Sequence, residues 1–263
     1  RYGLIAPVGA DLVAPEVAAV IDASGRLITP RFIAPYSQLG ILELSLDAEA
    51  NDAMPIEGFR YGAALNVVDA YNPTSSVIAI NRAGGVTRAL TAPMPGDTIF
   101  AGRGAVIDLS SRVASVTKPD AVQFAALGYE GALRAGDTRM GSWAVLRRYL
   151  NDATSYAQNP RDFLIRRSED RAYISELAAL QPVVSGAQPL MVAADSAHEL
   201  RNVIRLKNDY SLNVIVLGGA EGWRVARDLA AADIPVILDP LVKLPQKFEE
   251  LGATLANAAR RQA

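Results

Sequence analysis

The sequence contains no cysteine and only one histidine, His198, among its 263 residues. Without cysteine the chain can form no disulfide, no thiolate metal site and no cysteine nucleophile. One histidine is too few for the histidine-rich clusters that hold a catalytic zinc ion. The residue types that most often bind transition metals are therefore almost absent.

The sequence also has no large excess of positive or negative charge and no long hydrophobic run. The chain has 26 Lys and Arg against 28 Asp and Glu, a formal net charge of -2. A nucleic-acid partner is not expected, because a phosphate-binding surface needs clustered positive charge. Arg, Asp, Pro or Gly interrupts each apolar stretch before the roughly 18 residues that a membrane span requires, so membrane insertion is not expected either. The lack of cysteine leaves the compartment open between cytoplasm and periplasm.

What is present is enough apolar material for a large core, since half of the residues are hydrophobic. Between Gln188 and Leu241, apolar segments rich in β-branched residues alternate with segments of helical period. Near-continuous apolar strands of this kind are typical of a parallel sheet covered by helices, so the pattern predicts an α/β fold. The predicted elements are strands at Pro189–Ala194, Asn213–Leu217 and Pro235–Leu238, and helices at Ala197–Asp209 and Ala220–Ala232.

Ser196 and Glu199 form the spacing of a capping box at the start of the first of these helices. In that motif the hydroxyl and the carboxylate each bind a free backbone amide. His198 falls inside the motif, which predicts a solvated residue of the first helical turn.

The upstream half has further elements but no internal repeat of fixed period. Thr98–Leu109 alternates in the manner of a hairpin. The other predictions are strands at Arg31–Tyr36 and Val86–Leu90, and helices at Thr74–Ala83, Met140–Ala157 and Ser168–Leu180.

One long segment carries a family resemblance. Residues 20–38 read VIDASGRLITPRFIAPYSQ, which resembles the opening signature of the amidohydrolase superfamily, V-I-D-A-x-G-x-x-x-T-P-G-x-I-D-x-H-x-H, particularly in imidazolonepropionase-like members. Segments similar to later family blocks follow in family order at Asn72-Pro73, Gly84–Thr87, Leu217–Trp223 and Ile234–Pro240.

This resemblance implies a TIM-type (β/α)8 barrel, incomplete in this chain, and a small β-sandwich contributed by the N-terminal strands. The expected organisation is a sandwich portion at residues 1–30 and a barrel portion at 31–263, with a β-hairpin insertion near 98–109. Functional loops of such barrels follow the strands at the C-terminal mouth.

The resemblance also implies an activity, hydrolysis of C–N bonds in cyclic amide or dipeptide-like substrates by a metal-bound water. The family's two first-strand histidines correspond to Tyr36 and Gln38, its fifth-strand histidine to Ala193, and its sixth-strand histidine to Gly219. A phenol and a neutral amide are poor replacements for imidazole as zinc ligands. No cofactor is expected from these residues, and zinc only if segments outside this sequence supply ligands.

Three acidic residues at predicted strand ends remain as mouth candidates. The three could converge as oxygen ligands for a hard cation. Otherwise Asp195 and Glu221 are candidate catalytic residues, an acid and base pair, with Asp239 a further candidate beside them. The alternative is that Asp195 and Glu221 stabilise helix N-termini while Asp239 caps a turn.

Three functions therefore stand against one another. The first is an amidohydrolase homologue whose visible metal site is degenerate, and the second is a non-catalytic barrel that binds a small ligand or acts as a scaffold. The third is a metal-independent hydrolase that uses Asp195 and Glu221 as acid and base. All three predict a small-molecule partner. Homodimerisation through barrel helices is implied by the relatives.

Overall fold

A computed structural model of the chain describes residues 9, 12–45, 47–55, 58–167, 171–241 and 244–262. Residues 1–31 and 32–263 form two separate compact units. The described residues of the first unit have turns near Glu16 and Ser24 and contain no helix or strand. Val13, Val17 and Ile21 are almost fully exposed there. The β-sandwich therefore stays a prediction.

The second unit contains one mixed sheet. Its strands follow one another in space in the same order as in the chain. They are β1 (Phe32–Ser37), β2 (Val86–Thr91), β3 (Phe100–Asp108), β4 (Val116–Ala126), β5 (Leu190–Ala194), β6 (Val214–Gly218) and β7 (Val236–Ile237).

The sheet is curled like a barrel, because all seven strands contribute to a single apolar cluster. The ring of Tyr36 on β1 lies 5.6 Å from the ring of Phe124 on β4, whereas three strand spacings in a flat sheet would separate them by roughly 14 Å. We call this cluster the barrel interior. It consists of Tyr36, Leu90, Ala101, Val122, Phe124, Met191, Ala193, Ile215, Leu217 and Ile237.

Helices cover the outer face of the sheet. Along β5 the side chains alternate, since Met191 and Ala193 face the barrel interior while Leu190 and Val192 join the larger core beneath the helices. The helices are α1 (Ser76–Ala83), α2 (Gly128–Leu133), α3 (Arg139–Gln158), α4 (Pro160–Arg167), α5 (Arg171–Val184), α6 (Ala197–Tyr210), α7 (Ala226–Ala231) and α8 (Asn257–Gln262).

The parallel part of the sheet confirms the alternation predicted between residues 188 and 241. Strands β4 to β7 are parallel, with α6 between β5 and β6. The helix predicted at Ala220–Ala232 is divided into a 3-10 turn, Gly222–Val225, and the short α7. The predicted residues 168–170 of the helix before β5 lie outside the described residues.

The middle of the sheet differs from a regular (β/α) repeat. Residues 98–109 contain one strand, β3, which pairs antiparallel with both β2 and β4. The connections 92–99 and 109–115 are shorter than the dozen or so residues that a parallel crossover needs. The segment predicted as a hairpin insertion is therefore part of the sheet itself. Its partner β4 extends to Ala126.

Among the helices of the described residues, none combines the length and the apolar character that crossing a membrane demands.

Candidate functional site at the mouth of the barrel

Tyr36 and Gln38 lie at the end of β1, where the resemblance places two metal-binding histidines. Both are half-buried, and the Tyr36 ring packs in the barrel interior. Burial raises the pKa of the Tyr36 phenol to about 12, although a hydrogen bond with the Gln38 side chain opposes the shift. The phenol is therefore neutral at physiological pH and offers no anionic oxygen to a metal.

Ala193 and Gly219 occupy the other two family positions. The Ala193 methyl group packs in the barrel interior. Gly219 has a positive φ of 67°, and its amide donates to the Ala194 carbonyl at 2.8 Å. A Cβ on Gly219 would lie 3.1 Å from Val236 Cγ1. This glycine therefore allows a close approach between neighbouring strand ends rather than supplying a ligand.

These residues do not fit the divalent metal that the family implies. At the four positions where the resemblance expects imidazole, the chain has a neutral phenol, an amide, a methyl group and a glycine. Among the described residues, no three His, Asp or Glu side chains are grouped so that they could hold a metal ion.

Asp195 and Glu221 meet at the adjoining ends of β5 and β6. Asp195 accepts the Ala220 amide on Oδ1 at 3.2 Å, and its carbonyl accepts the Glu221 amide at 2.9 Å. Glu221 in turn accepts the amide of Ala197, the first residue of α6, at 3.0 Å. Both carboxylates therefore organise the start of a loop or helix.

The Asp195 carboxyl is nevertheless perturbed. Burial raises its pKa, and the hydrogen bond from Ala220 opposes the shift, while the negative charge of Glu250 adds to it. A carboxyl with a raised pKa is better suited to donate a proton than an ordinary aspartate.

Asp239 and His198 lie apart from this pair. Asp239 is exposed, and its Oδ1 accepts the Leu241 amide at 2.9 Å in a turn. His198 is exposed in the first turn of α6, with Nε2 3.4 Å from Asn202 Nδ2.

Glu199 has a different environment from the one that the capping motif predicts. The Ser196 hydroxyl accepts the Glu199 amide at 3.3 Å as expected, but the Glu199 side chain is only 3% exposed. Within the described part of the chain neither of its oxygens has a hydrogen-bond partner of good geometry. The predicted hydrogen bond from the Ser196 amide to the Glu199 carboxylate is therefore wrong, because the carboxylate turns inward instead of back to Ser196.

Glu199 instead meets Glu249 around Gly128. Gly128 has a φ of +62°, and a Cβ there would lie 2.6 Å from Glu249 Oε2 and 2.9 Å from Glu199 Oε2. Burial raises the pKa of Glu199 to about 7, and the negative charge of Glu249 adds to the shift. Glu249 keeps its charge partner, since Arg139 Nε donates to Oε1 at 2.7 Å.

Sequence reasoning missed this carboxyl pair. Glu199, Val203 and Leu206 share one helix face at i, i+4 and i+7, and all three are buried; that spacing was the available signal. No local sequence pattern indicated that Glu249 is part of the pair, because its contacts are with Tyr129 and Arg139, more than a hundred residues away in the chain.

A cavity of about 590 Å³ lies beyond the ends of β1 and β2. Its wall comes mainly from the segment that follows β1, and Pro93, which follows β2, completes it. The wall is largely apolar and contains four polar side chains. The lining residues are Ile41, Asn51, Asp52, Met54, Pro55, Phe59, Ala64, Leu65, Asn66, Val67, Asp69, Ala70 and Pro93.

Glu176 of α5 holds part of this wall in place. Its two carboxylate oxygens accept the backbone amides of Gly62, Ala63 and Ala64 at 3.0, 2.7 and 3.0 Å. The side chain is 1% exposed. Burial raises its pKa, although the three amides oppose the shift.

Comparison with known proteins identifies the fold. No protein-family model and no curated protein matches the chain. The structure is similar to the crystal structure of an amidohydrolase from Thermotoga maritima MSB8, with a TM-score of 0.80 and 23% sequence identity, over 97% of this chain and 68% of that one. The chain therefore has an amidohydrolase-like α/β barrel fold.

Proposed function

We propose that this chain is a member of the amidohydrolase superfamily whose barrel binds a small amide-like ligand and does not carry out the family's metal-dependent hydrolysis. The observation that carries the proposal is the packing of Tyr36 and Ala193 in the apolar barrel interior. A divalent ion at that position would lose water without gaining imidazole or carboxylate ligands.

Family membership is supported by two independent features. The motif over residues 20–38 and the later blocks follow the family order. The fold is that of a solved protein named as an amidohydrolase. The inherited substrate class, cyclic amides or dipeptide-like molecules, follows from the imidazolonepropionase-like form of the motif.

The cavity beyond β1 and β2 suits such a ligand. Its volume of about 590 Å³ lies within the range of small-molecule sites. Apolar side chains such as Leu65 and Met54 can cover the body of the ligand, while the carboxylates of Asp52 and Asp69 can accept its amide N–H groups. Both carboxylates are exposed at the wall.

Filling this cavity is expected to abolish ligand binding. Ala70 is exposed and lines the cavity, so Ala70→Trp adds bulk without disturbing the core. Calorimetric titration with a hydantoin, a lactam and a dipeptide should detect binding to the wild type and a loss of about tenfold or more in Ala70→Trp. Ala157→Trp, on the exposed side of α3, is the matched control. Equal affinities in all three proteins, or no binding of any probe, would contradict the assignment of the cavity.

The same probes test the loss of hydrolysis. With zinc added, no zinc-dependent turnover is expected, and the wild type and Gln38→Ala should behave alike. Zinc-dependent hydrolysis that disappears in Gln38→Ala would overturn the proposal in favour of an active amidohydrolase.

A second candidate function is metal-independent hydrolysis, which the raised pKa of Asp195 favours. Asp195 would donate a proton and Glu221 would act as the base. In that case hydrolysis would survive EDTA and disappear in Asp195→Ala. Undiminished turnover in Asp195→Ala would exclude this candidate.

A further inference from the structure

A second concave surface lies on the helical side of the barrel, between α3 and α6. Each helix contributes one face to a cavity of about 380 Å³. Arg139, Trp143 and Arg147 are spaced at i, i+4 and i+8 on α3. His198, Asn202 and Arg205 are spaced at i, i+4 and i+7 on α6. Three arginine side chains therefore line one cavity.

Two of these arginines have no carboxylate partner among the described residues. The guanidinium of Arg147 lies 5.5 Å from the centroid of the Trp143 ring, and Arg205 donates to Asn202 Oδ1. Arg139 uses Nε for Glu249, and its side chain is about half exposed. Like charges gathered without counter-charges are unfavourable, and an anion would relieve that repulsion.

The starts of two long helices add to the positive potential. Arg139 is the first residue of α3 and His198 the second of α6. Helix N-termini carry partial positive charge and favour anions. The cavity therefore combines two helix dipoles with three arginine side chains.

The acidic groups nearby offset only part of this charge. Glu249 is already paired with Arg139. Glu199 also lines the cavity, but its burial favours the neutral form, with the pKa raised to about 7 by burial and by Glu249, while Arg139 opposes the shift and Asp195 adds to it.

We infer that the cavity between α3 and α6 binds a small phosphate monoester. A phosphate presents three acceptor oxygens and close to two negative charges, which match three forked guanidinium groups. The cavity is larger than a phosphate ion needs, and the exposed Met140 side chain, which also lines it, offers an apolar contact for the organic part of the ester.

Calorimetric titration with phenyl phosphate, inorganic phosphate and phenol tests this site. Phenyl phosphate is expected to bind the wild type most tightly, inorganic phosphate more weakly and phenol not at all. The double variant Arg147→Gln, Arg205→Gln should bind phenyl phosphate about tenfold or more weakly. The matched control, Arg161→Gln with Arg227→Gln, removes the same charge from exposed positions and should leave the affinity unchanged.

Three results would overturn the inference. They are an equal loss of affinity in the control variant, equal binding of inorganic phosphate and phenyl phosphate, and no saturable binding at millimolar concentration. Circular dichroism and the melting temperature verify that each variant is folded, and a rise in melting temperature with phenyl phosphate gives a second readout. The proposed phosphate site shares no lining residue with the cavity proposed for the amide-like ligand. Ala70→Trp should therefore leave phosphate binding intact.

Discussion

Replacing Glu199 by Gln is expected to make the protein more stable than the wild type above pH 7 and about equally stable near pH 4.5. The Glu199 pKa is raised from 4.5 to about 7 in the folded protein. The folded state therefore holds a proton that the unfolded chain releases. The stabilisation from Glu199 is fully present below pH 4.5 and is lost as pH rises through about 7.

The shift corresponds to a loss on the order of 3 kcal/mol in the free energy of unfolding. Gln is nearly isosteric with protonated Glu and cannot ionise, so Glu199→Gln avoids this loss. Urea denaturation at a series of pH values gives the free energy of unfolding of both proteins. The contributions of the other titrating groups cancel in the difference between the two values.

Asp209→Asn is the matched control, since it removes one carboxylate from the exposed face of the same helix. The gap between that variant and the wild type should stay nearly constant with pH. If Glu199→Gln likewise shows no pH-dependent gap, the Glu199 carboxyl does not lie buried beside Glu249 as described.

Truncating the buried Glu176 is expected to destabilise the protein strongly. Glu176→Ala leaves the amides of residues 62–64 without their acceptor; two of these hydrogen bonds are buried and that of Ala64 is partly buried. Each loss of a buried partner costs roughly 1–3 kcal/mol. Glu176→Gln should cost less, about 2 kcal/mol, because one carbonyl oxygen remains while an NH₂ group faces an amide donor.

Urea denaturation measures the loss in the free energy of unfolding. Amide hydrogen exchange of residues 62–67 shows whether the loss is centred on that segment. Exchange should rise there more than in β5 or β6, and amide-ligand binding should weaken because Leu65 and Val67 line the cavity. Ser175→Ala, on the same helix but exposed, should change stability by less than about 0.5 kcal/mol. A Glu176→Ala variant as stable as the wild type would contradict the anchoring role.

The parallel half of the fold could be predicted because each element carries its own signal. The strand at Leu190–Ala194 is continuously apolar, and α6 has a capped start and an apolar face. The antiparallel strands could not be predicted in the same way. Alternation in β3 shows a strand but not its partner, and only the short connections on either side exclude a crossover.

The site was predictable to a smaller extent. The family resemblance drew attention to Tyr36, Gln38 and Ala193, and in the structure Tyr36 and Ala193 pack in the apolar barrel interior. The carboxyl pair of Glu199 and Glu249 and the arginine-lined cavity depend on contacts between distant segments. Side chains on α3 and α6 look like ordinary solvated helix residues until the two helices are placed side by side.

The most direct test of the central claim is the zinc content of the purified protein after equilibrium dialysis against zinc, measured by inorganic mass spectrometry beside a Tyr36→Phe, Gln38→Ala variant. The apolar barrel interior predicts no stoichiometric zinc in either protein. One zinc ion per chain in the wild type, lost in the variant, would contradict it.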